Sequence, residues 1–309
     1  MSNYYDTIII DGNNFLFRAF FVNRPDKFVN ELNVTPIHQF LYMLKSVTSQ
    51  YRAKKIILTW DKKLNSFKKN FRRELVPYKE HRVENDKTTQ LLNTISHIQK
   101  FIDALGIQTI LPVNMEADDV IRYLTINTEE KTLIVSSDHD LLQLIRKNIH
   151  VFLPTKNLIV DIINFQEYTN CKTPEMFVLF KSILGDKSDN ISGLEKYGKV
   201  KAKNLAEKIY KNNNIDFSNA DLTLTEEQQE IINRNLLVMD LSNTEVVYPE
   251  EYSFYKKQEE IKNPDFNEET LKDLFTEYEC IAFLNNFNEW KYLFDKNKSN
   301  NDLLSFIRM

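Results

Sequence analysis

Thr7-Ile8-Ile9-Ile10-Asp11-Gly12 decides the fold class. An apolar, β-branched run this short, closed by Asp-Gly, predicts a strand buried on both faces. Working outward, three further runs repeat the pattern. Lys55–Thr59 ends in Trp60-Asp61, Ile107–Leu111 ends in Pro112, and Thr132–Val135 ends in Ser136-Ser137-Asp138. Helical periodicity fills the gaps over Ile37–Tyr51, Leu91–Leu105 and Glu116–Ile126. Strands alternating with helices predict an α/β fold with a parallel sheet. Beyond it, helices are predicted over Lys172–Leu184, with Pro174 in the first turn, and over Lys199–Tyr210. Another is predicted over Thr225–Leu241, opened by the capping box Thr225-Glu226-Glu227-Gln228, and two more over Asn267–Phe294. Asn212–Asn219 reads as a linker and Asp295–Asp302 as a mobile spacer.

Composition narrows the function classes. The 309 residues suffice for one large domain or two modest ones, and 42% hydrophobic content supports a full core. There is no apolar run of about 18 residues and no basic, apolar leader, so neither a membrane span nor a signal peptide is expected. Two cysteines, Cys171 and Cys280, make neither a disulfide framework nor a zinc site, and a cytoplasmic setting is expected. The net charge is −4, but its distribution is uneven. Lys62–Arg82 holds eight Lys/Arg against two acids, and Lys187–Lys211 holds seven Lys against three. Basic surfaces flanking acidic motifs fit a nucleic-acid enzyme.

The acidic motifs carry the chemistry. Asp11, Asp61 and the Asp138/Asp140 pair follow strand ends, where open α/β sheets build their sites. One such Asp is ordinarily a turn or helix cap; three strand ends bearing acids favour a shared site. Glu116-Ala117-Asp118-Asp119 and Gly185-Asp186-Lys187-Ser188-Asp189 add two clusters. Carboxylates this crowded are tolerable when cations neutralise them, and oxygen donors select Mg²⁺ or Mn²⁺ over zinc. His139 reads as a surface residue with no metal role. Two metals about 3.5–4 Å apart would clamp the attacking and leaving oxygens of a phosphodiester. A phosphatase of the Asp-x-Asp type is a rival, but Asp11 is followed by Gly12 and Asn13. A non-catalytic DNA binder is a second rival, and it would not need the carboxylates.

These motifs, in order IIIDGNNFLFRAFF, WD, FRRELVPYKEHR, EADDVIRYL, SSDHDLLQLI and ILGDKSDNISGLEKYG, resemble the flap endonuclease family of 5′-nucleases. That family includes phage 5′-exonucleases, the ribonuclease H of T-even phages and the 5′-nuclease domain of bacterial DNA polymerase I. The resemblance spans roughly residues 5–205. It implies a PIN-like 5′-nuclease domain over 1–180 with a helical arch at about 62–90. A helix–three-turn–helix DNA-binding subdomain would follow over 181–240, then a helical C-terminal region over 241–309. It implies a first metal site at Asp11, Asp61, Glu116 and Asp118, with Asp119 near it. The second would use Asp138, Asp140 and Asp186, with Asp189 as a further ligand.

Lys79 matches the family's catalytic lysine, with Arg82 beside it. Phe17, Arg18, Arg72, Tyr78, Lys187, Lys199, Lys201 and Lys203 match positions that meet nucleic acid; Phe17 is expected to be the exposed member of an otherwise buried aromatic helix stripe. The family's Gly-x-Gly is here Lys196-Tyr197-Gly198, and Val200 stands where a lysine is usual, which leaves open whether the family's K⁺ site carries over. The implied enzyme is a monomeric, Mg²⁺-dependent 5′–3′ exonuclease and flap endonuclease with ribonuclease H-like activity. Its substrates would be 5′-flap, nicked or RNA-primed duplexes in phage DNA replication. The chain ends in Leu303-Leu304-Ser305-Phe306-Ile307, which suggests docking to a sliding clamp or a single-stranded-DNA-binding protein.

Overall fold

The computed structural model describes residues 3–22, 24–61, 71–80, 86–113, 115–126, 128–212, 214–218, 223–247, 249–260 and 264–295. Much of the expected arch, Arg82 within it, and the C-terminal peptide after Asp295 lie outside these residues.

Six strands form the main sheet: β1 (Tyr4–Asp11), β2 (Arg52–Thr59), β3 (Gln108–Thr109), β4 (Thr132–Val135), β5 (Ile149–Leu153) and β6 (Leu158–Val160). Their spatial order is β3-β2-β1-β4-β5-β6, parallel except for β6. The chain winds one way from β1 to β3 and then restarts on the other side of β1 with β4. The order therefore reverses between β1 and β4, and such a switch point opens a crevice beyond the strand ends. Asp11 ends β1, Asp61 lies two residues past β2, and Asp138 lies three past β4.

The central run explains the layering. Side chains alternate across a strand, so Ile8 and Ile10 join one core while Ile9 joins the other. On the first face Phe15, Phe40, Leu58 and Phe101 pack together, and the C-terminal helices add Phe275 and Trp290. On the second, Ile134 and Val151 meet Leu179, Ile183 and Ala206 from the helices Pro174–Leu184 and Lys199–Ile209. Each such buried side chain contributes about 1.5–3 kcal/mol.

Two expectations change. Asn267–Phe294 holds three helices, because the chain breaks at Glu279, with φ of 49°, and again at Asn286. Asn212–Asn219 is not plain linker: Tyr210–Lys211 and Asn214–Ile215 form a short hairpin. Asp295 caps the last helix; the rest of the expected spacer lies outside the described residues. Strands β5 and β6 carried no clear sequence signal. A 3₁₀ turn (His139–Leu144), rather than a long amphipathic helix, connects β4 to β5, and β6 is only three residues long.

Candidate active site

The crevice is built from β1 outward. Asp11 caps the helix Gly12–Phe20, accepting from the Asn14 N–H at 3.1 Å, and its other oxygen accepts from the Ser136 hydroxyl at 2.8 Å. The cap and the site are thus one residue. Gly12 is required by crowding: a Cβ there would lie 2.5 Å from the Trp60 ring and 2.7 Å from the Thr59 carbonyl. That close approach seats Asp61 beside Asp11. The Asp61 N–H donates to Asn13 at 2.9 Å, and its carboxylate accepts from the Ala117 N–H at 2.7 Å, at the start of helix Ala117–Ile126. Across the switch point, Ser137 N–H donates to Asn14 at 2.8 Å and Asp138 N–H to the Ser136 hydroxyl at 3.0 Å. Asp138 caps the 3₁₀ turn by accepting from the Asp140 N–H at 2.8 Å.

The electrostatics divide the carboxylates. Burial, then the charge of Asp61, pushes Asp11 up to about 7. Burial and Glu116 push Asp61 up to about 6, with Lys79 offsetting part of the rise. Burial, with the charges of Asp138, Asp11 and Asp61, holds Asp118 well above the usual carboxylate range. These four repel one another. The rest are paired with cations. Burial alone would raise Glu116, but Lys79 and Arg72 bring it down to about 2; Lys79 Nζ contacts one of its oxygens and the Tyr78 hydroxyl donates to the other at 2.7 Å. Arg72 grips Asp119 with two hydrogen bonds of 2.9 and 2.7 Å and donates through Nε to the Val238 carbonyl at 3.0 Å. Lys181 Nζ bridges Asp140 and Asp186, the latter at 2.8 Å. Burial would raise Asp186, yet Lys181 and Ser188 lower it, whereas Asp140 stays raised by burial despite its lysine.

Several expected roles move. Arg72 and Tyr78 are corrections: at 2% and 7% exposure they face inward, not toward nucleic acid. The reason is charge, since the Glu116 and Asp119 carboxylates buried beside them need donors. Asp119 is fully buried with both oxygens on Arg72 and one on the Glu116 N–H at 3.0 Å, so it orients the cluster from behind. Lys79 has left-handed backbone, φ of 55°, and its N–H donates to the Asp189 carbonyl at 3.0 Å. Non-glycine residues in that region store about 1–3 kcal/mol of strain, typically at functional sites. Phe17 is exposed and stacks on Phe21, ring centroids 6.4 Å apart, and Phe21 is the more exposed of the two. Arg18 is half-buried, while Lys187, Lys199 and Lys201 are exposed and Lys203 half-buried. Lys196 adopts φ of 65°, the conformation that favours the glycine it replaces. Gly185 and Gly193 meet back to back, a Cβ on Gly185 lying 2.3 Å from the Gly193 nitrogen, which fixes the turn carrying Asp186 and Asp189.

Lys181 escaped the sequence reading. A lone lysine in the apolar helix PEMFVLFKSIL, five residues before Asp186, was the available signal. Ser136, which joins Asp11 to the Asp138 backbone, likewise carried none.

The donor set fits hard divalent cations: oxygens alone, crowded and under-neutralised. Among the described residues no group of three or more His, Cys, Asp or Glu side chains is arranged to hold a metal ion. Mg²⁺ does not require one, because it keeps several waters and takes only one or two carboxylates directly.

Residues 6–170 match the family profile of the 5′-3′ exonuclease, N-terminal resolvase-like domain. The chain belongs to the 5′–3′ exonuclease family. A 5′-3′ exonuclease of Buchnera aphidicola subsp. Schizaphis graminum is 32% identical over 228 residues, 69% of this chain and 77% of the relative. The fold is that of the T5 5′-exonuclease solved with zinc ions, TM-score 0.66 at 22% identity, covering 84% of this chain and all of that one. The bacteriophage T5 flap endonuclease in complex with DNA and metal ions aligns at TM-score 0.61 and 20% identity, over 89% and 99% of the two chains. Family membership and fold agree with the resolvase-like, PIN-like sheet and the helices around it. Among the described residues no helix is long and apolar enough to cross a membrane.

Proposed function

We propose that this chain is a divalent-metal-dependent 5′-nuclease that hydrolyses phosphodiester bonds near the 5′ ends of DNA and RNA–DNA duplexes. The observation that carries the reading is the convergence of Asp11, Asp61, Asp118 and Asp138 at the switch point, where burial and neighbouring carboxylates raise Asp11, Asp61 and Asp118. Like charges gathered in a partly buried crevice call for cations. The relatives named as 5′–3′ exonucleases, and the T5 enzyme solved with metal ions and DNA, support the same reading.

Two Mg²⁺, or Mn²⁺ in their place, would supply a hydroxide from water and stabilise the departing 3′-oxygen. Asp11, Asp61, Glu116 and Asp118 would hold the first and Asp138, Asp140 and Asp186 the second, with Asp189 as a further ligand. Lys79 sits on Glu116 at the rim, within reach of charge developing on the phosphate. Arg82, outside the described residues, belongs with it. Phe17 stacks a base, Arg18 backs it, and Lys187, Lys199, Lys201 and Lys203 meet backbone phosphates. In this reading the arch, the helix–three-turn–helix over 181–240 and the region over 241–309 are the working parts of a monomeric, cytoplasmic enzyme of phage replication. It removes RNA primers and trims flaps, and residues 303–307 dock on a sliding clamp or a single-stranded-DNA-binding protein.

Cleavage of a 5′-labelled flap and an RNA-primed hairpin, with Mg²⁺ and with chelator, tests the core of this. Asp118→Asn should lower Mg²⁺-dependent turnover by more than the roughly 10–100-fold typical of residues behind a metal ligand. Turnover that survives chelator, or is unchanged in the variant, overturns the metal assignment.

A further inference from the structure

A cleft of about 570 Å³ opens beside the 3₁₀ turn, whose His139 and Leu142 line it. Its volume falls in the roughly 300–1,000 Å³ range of sites that enclose a ligand the size of one nucleotide. Leu142, Phe177 and Phe180 line its apolar part, and Lys156, Lys199 and Lys203 stand around it. Among the described residues no Asp or Glu lines it. Among the described residues none of these three lysines has a carboxylate partner, whereas Lys79 and Lys181 at the catalytic crevice do. Three unneutralised amines converging from two separate parts of the chain favour an anion. The apolar and aromatic part favours a ring beside it.

The cleft also divides the basic helix. Lys199 and Lys203, four residues apart, share the face that lines it, while Lys201 lies about 200° round the helix and does not. The three lysines of this helix expected to meet nucleic acid therefore serve two surfaces. Lys156 arrives from beyond β5, its ammonium 2.7 Å from the Tyr168 hydroxyl, which lies 3.1 Å from His139 Nε2. His139 lines the cleft, and its neighbours Asp138 and Asp140 belong to the carboxylate centre. Cleft and centre thus share one turn of chain.

We propose that this cleft is a nucleotide subsite for the substrate strand, separate from the Lys201 surface: Lys156, Lys199 and Lys203 hold its phosphates, and Phe180 and Leu142 receive one base. The Lys156–Tyr168–His139 chain fixes the subsite's position relative to Asp138 and Asp140. This rests on the nuclease reading above.

The test measures anisotropy of a labelled 5′-tailed hairpin DNA across a salt series, for wild type, Lys156→Ala, Lys203→Ala, the double variant and Lys156→Arg. Each Ala substitution should reduce the salt slope by about 0.7–0.9, the share of one phosphate contact, the double by about twice that, and Lys156→Arg should keep the wild-type slope. A wild-type slope in the double variant overturns the subsite while wild-type binding and Mg²⁺-dependent cleavage leave the nuclease reading standing. If wild type neither binds nor cleaves, both fall. Inorganic phosphate and a mononucleotide serve as competitors. Failure of either to displace the DNA at micromolar concentration supports a strand subsite; displacement that the double variant abolishes makes the cleft a free-nucleotide pocket and overturns the proposal.

Discussion

The two halves of the acidic crevice are held by opposite means. Glu116, Asp119, Asp140 and Asp186 are met by Lys79, Arg72 and Lys181, so this half is organised by the protein's own cations. Asp11 and Asp61, which gather with Asp118 and Asp138, are held by backbone N–H groups and a serine hydroxyl, and the repulsion within this group is only partly offset. A cluster meant only for stability would have been neutralised throughout, because unpaired buried charge is expensive. The imbalance marks where external cations belong, and the paired half positions that place.

Breaking the paired half should have the largest effect. Arg72 ties three elements together: the segment Phe71–Leu75, the helix bearing Asp118, and the end of helix Glu226–Met239 at Val238. Arg72→Met leaves Asp119 buried and unpaired, and it should cost about 3–5 kcal/mol of unfolding free energy by denaturant titration. Asp119→Asn with Arg72→Met should recover part of that loss. If the single variant is as stable as wild type, the pair is not what holds the segment Phe71–Leu75 against the sheet.

Much of this was legible in the sequence and some was not, for identifiable reasons. The strand ends at Asp11, Asp61 and Asp138 were readable because short β-branched runs with abrupt polar ends have few other interpretations. Nothing local distinguishes Arg72 from a surface arginine: three of the five residues in FRREL are charged, and its burial is set by Asp119, 47 positions away. The sequence distance defeats any reading by period or composition. Lys201 and Lys203 looked alike in a row of lysines, and only the helix phase separates them. Strand β5 was missed because no helix of readable length precedes it.

A smaller effect sharpens the comparison from the unpaired half. In the metal-free protein Asp11 and Asp61 are raised to about 7 and about 6, above the ordinary carboxylate value of about 3.9. A carboxyl raised on folding binds more protons in the native state than in the unfolded one. Stability from these groups is therefore present at low pH and lost as pH rises from about 4 to about 7. Divalent cations compete with those protons. The melting temperature of metal-free protein should fall by several degrees between pH 5 and pH 8, and Mg²⁺ should raise it more at pH 8 than at pH 5. Equal gains at both pH values would mean that the metal binds elsewhere.

The most direct measurement is the position of Mn²⁺ by anomalous diffraction from crystals grown with the ion. The account predicts one Mn²⁺ on Asp11, Asp61 and Asp118, with Glu116 beside them, at low concentration. A second should appear only when Lys181 has swung off Asp140 and Asp186. Mn²⁺ seated first on Asp140 and Asp186, or no Mn²⁺ at the switch point, would contradict it.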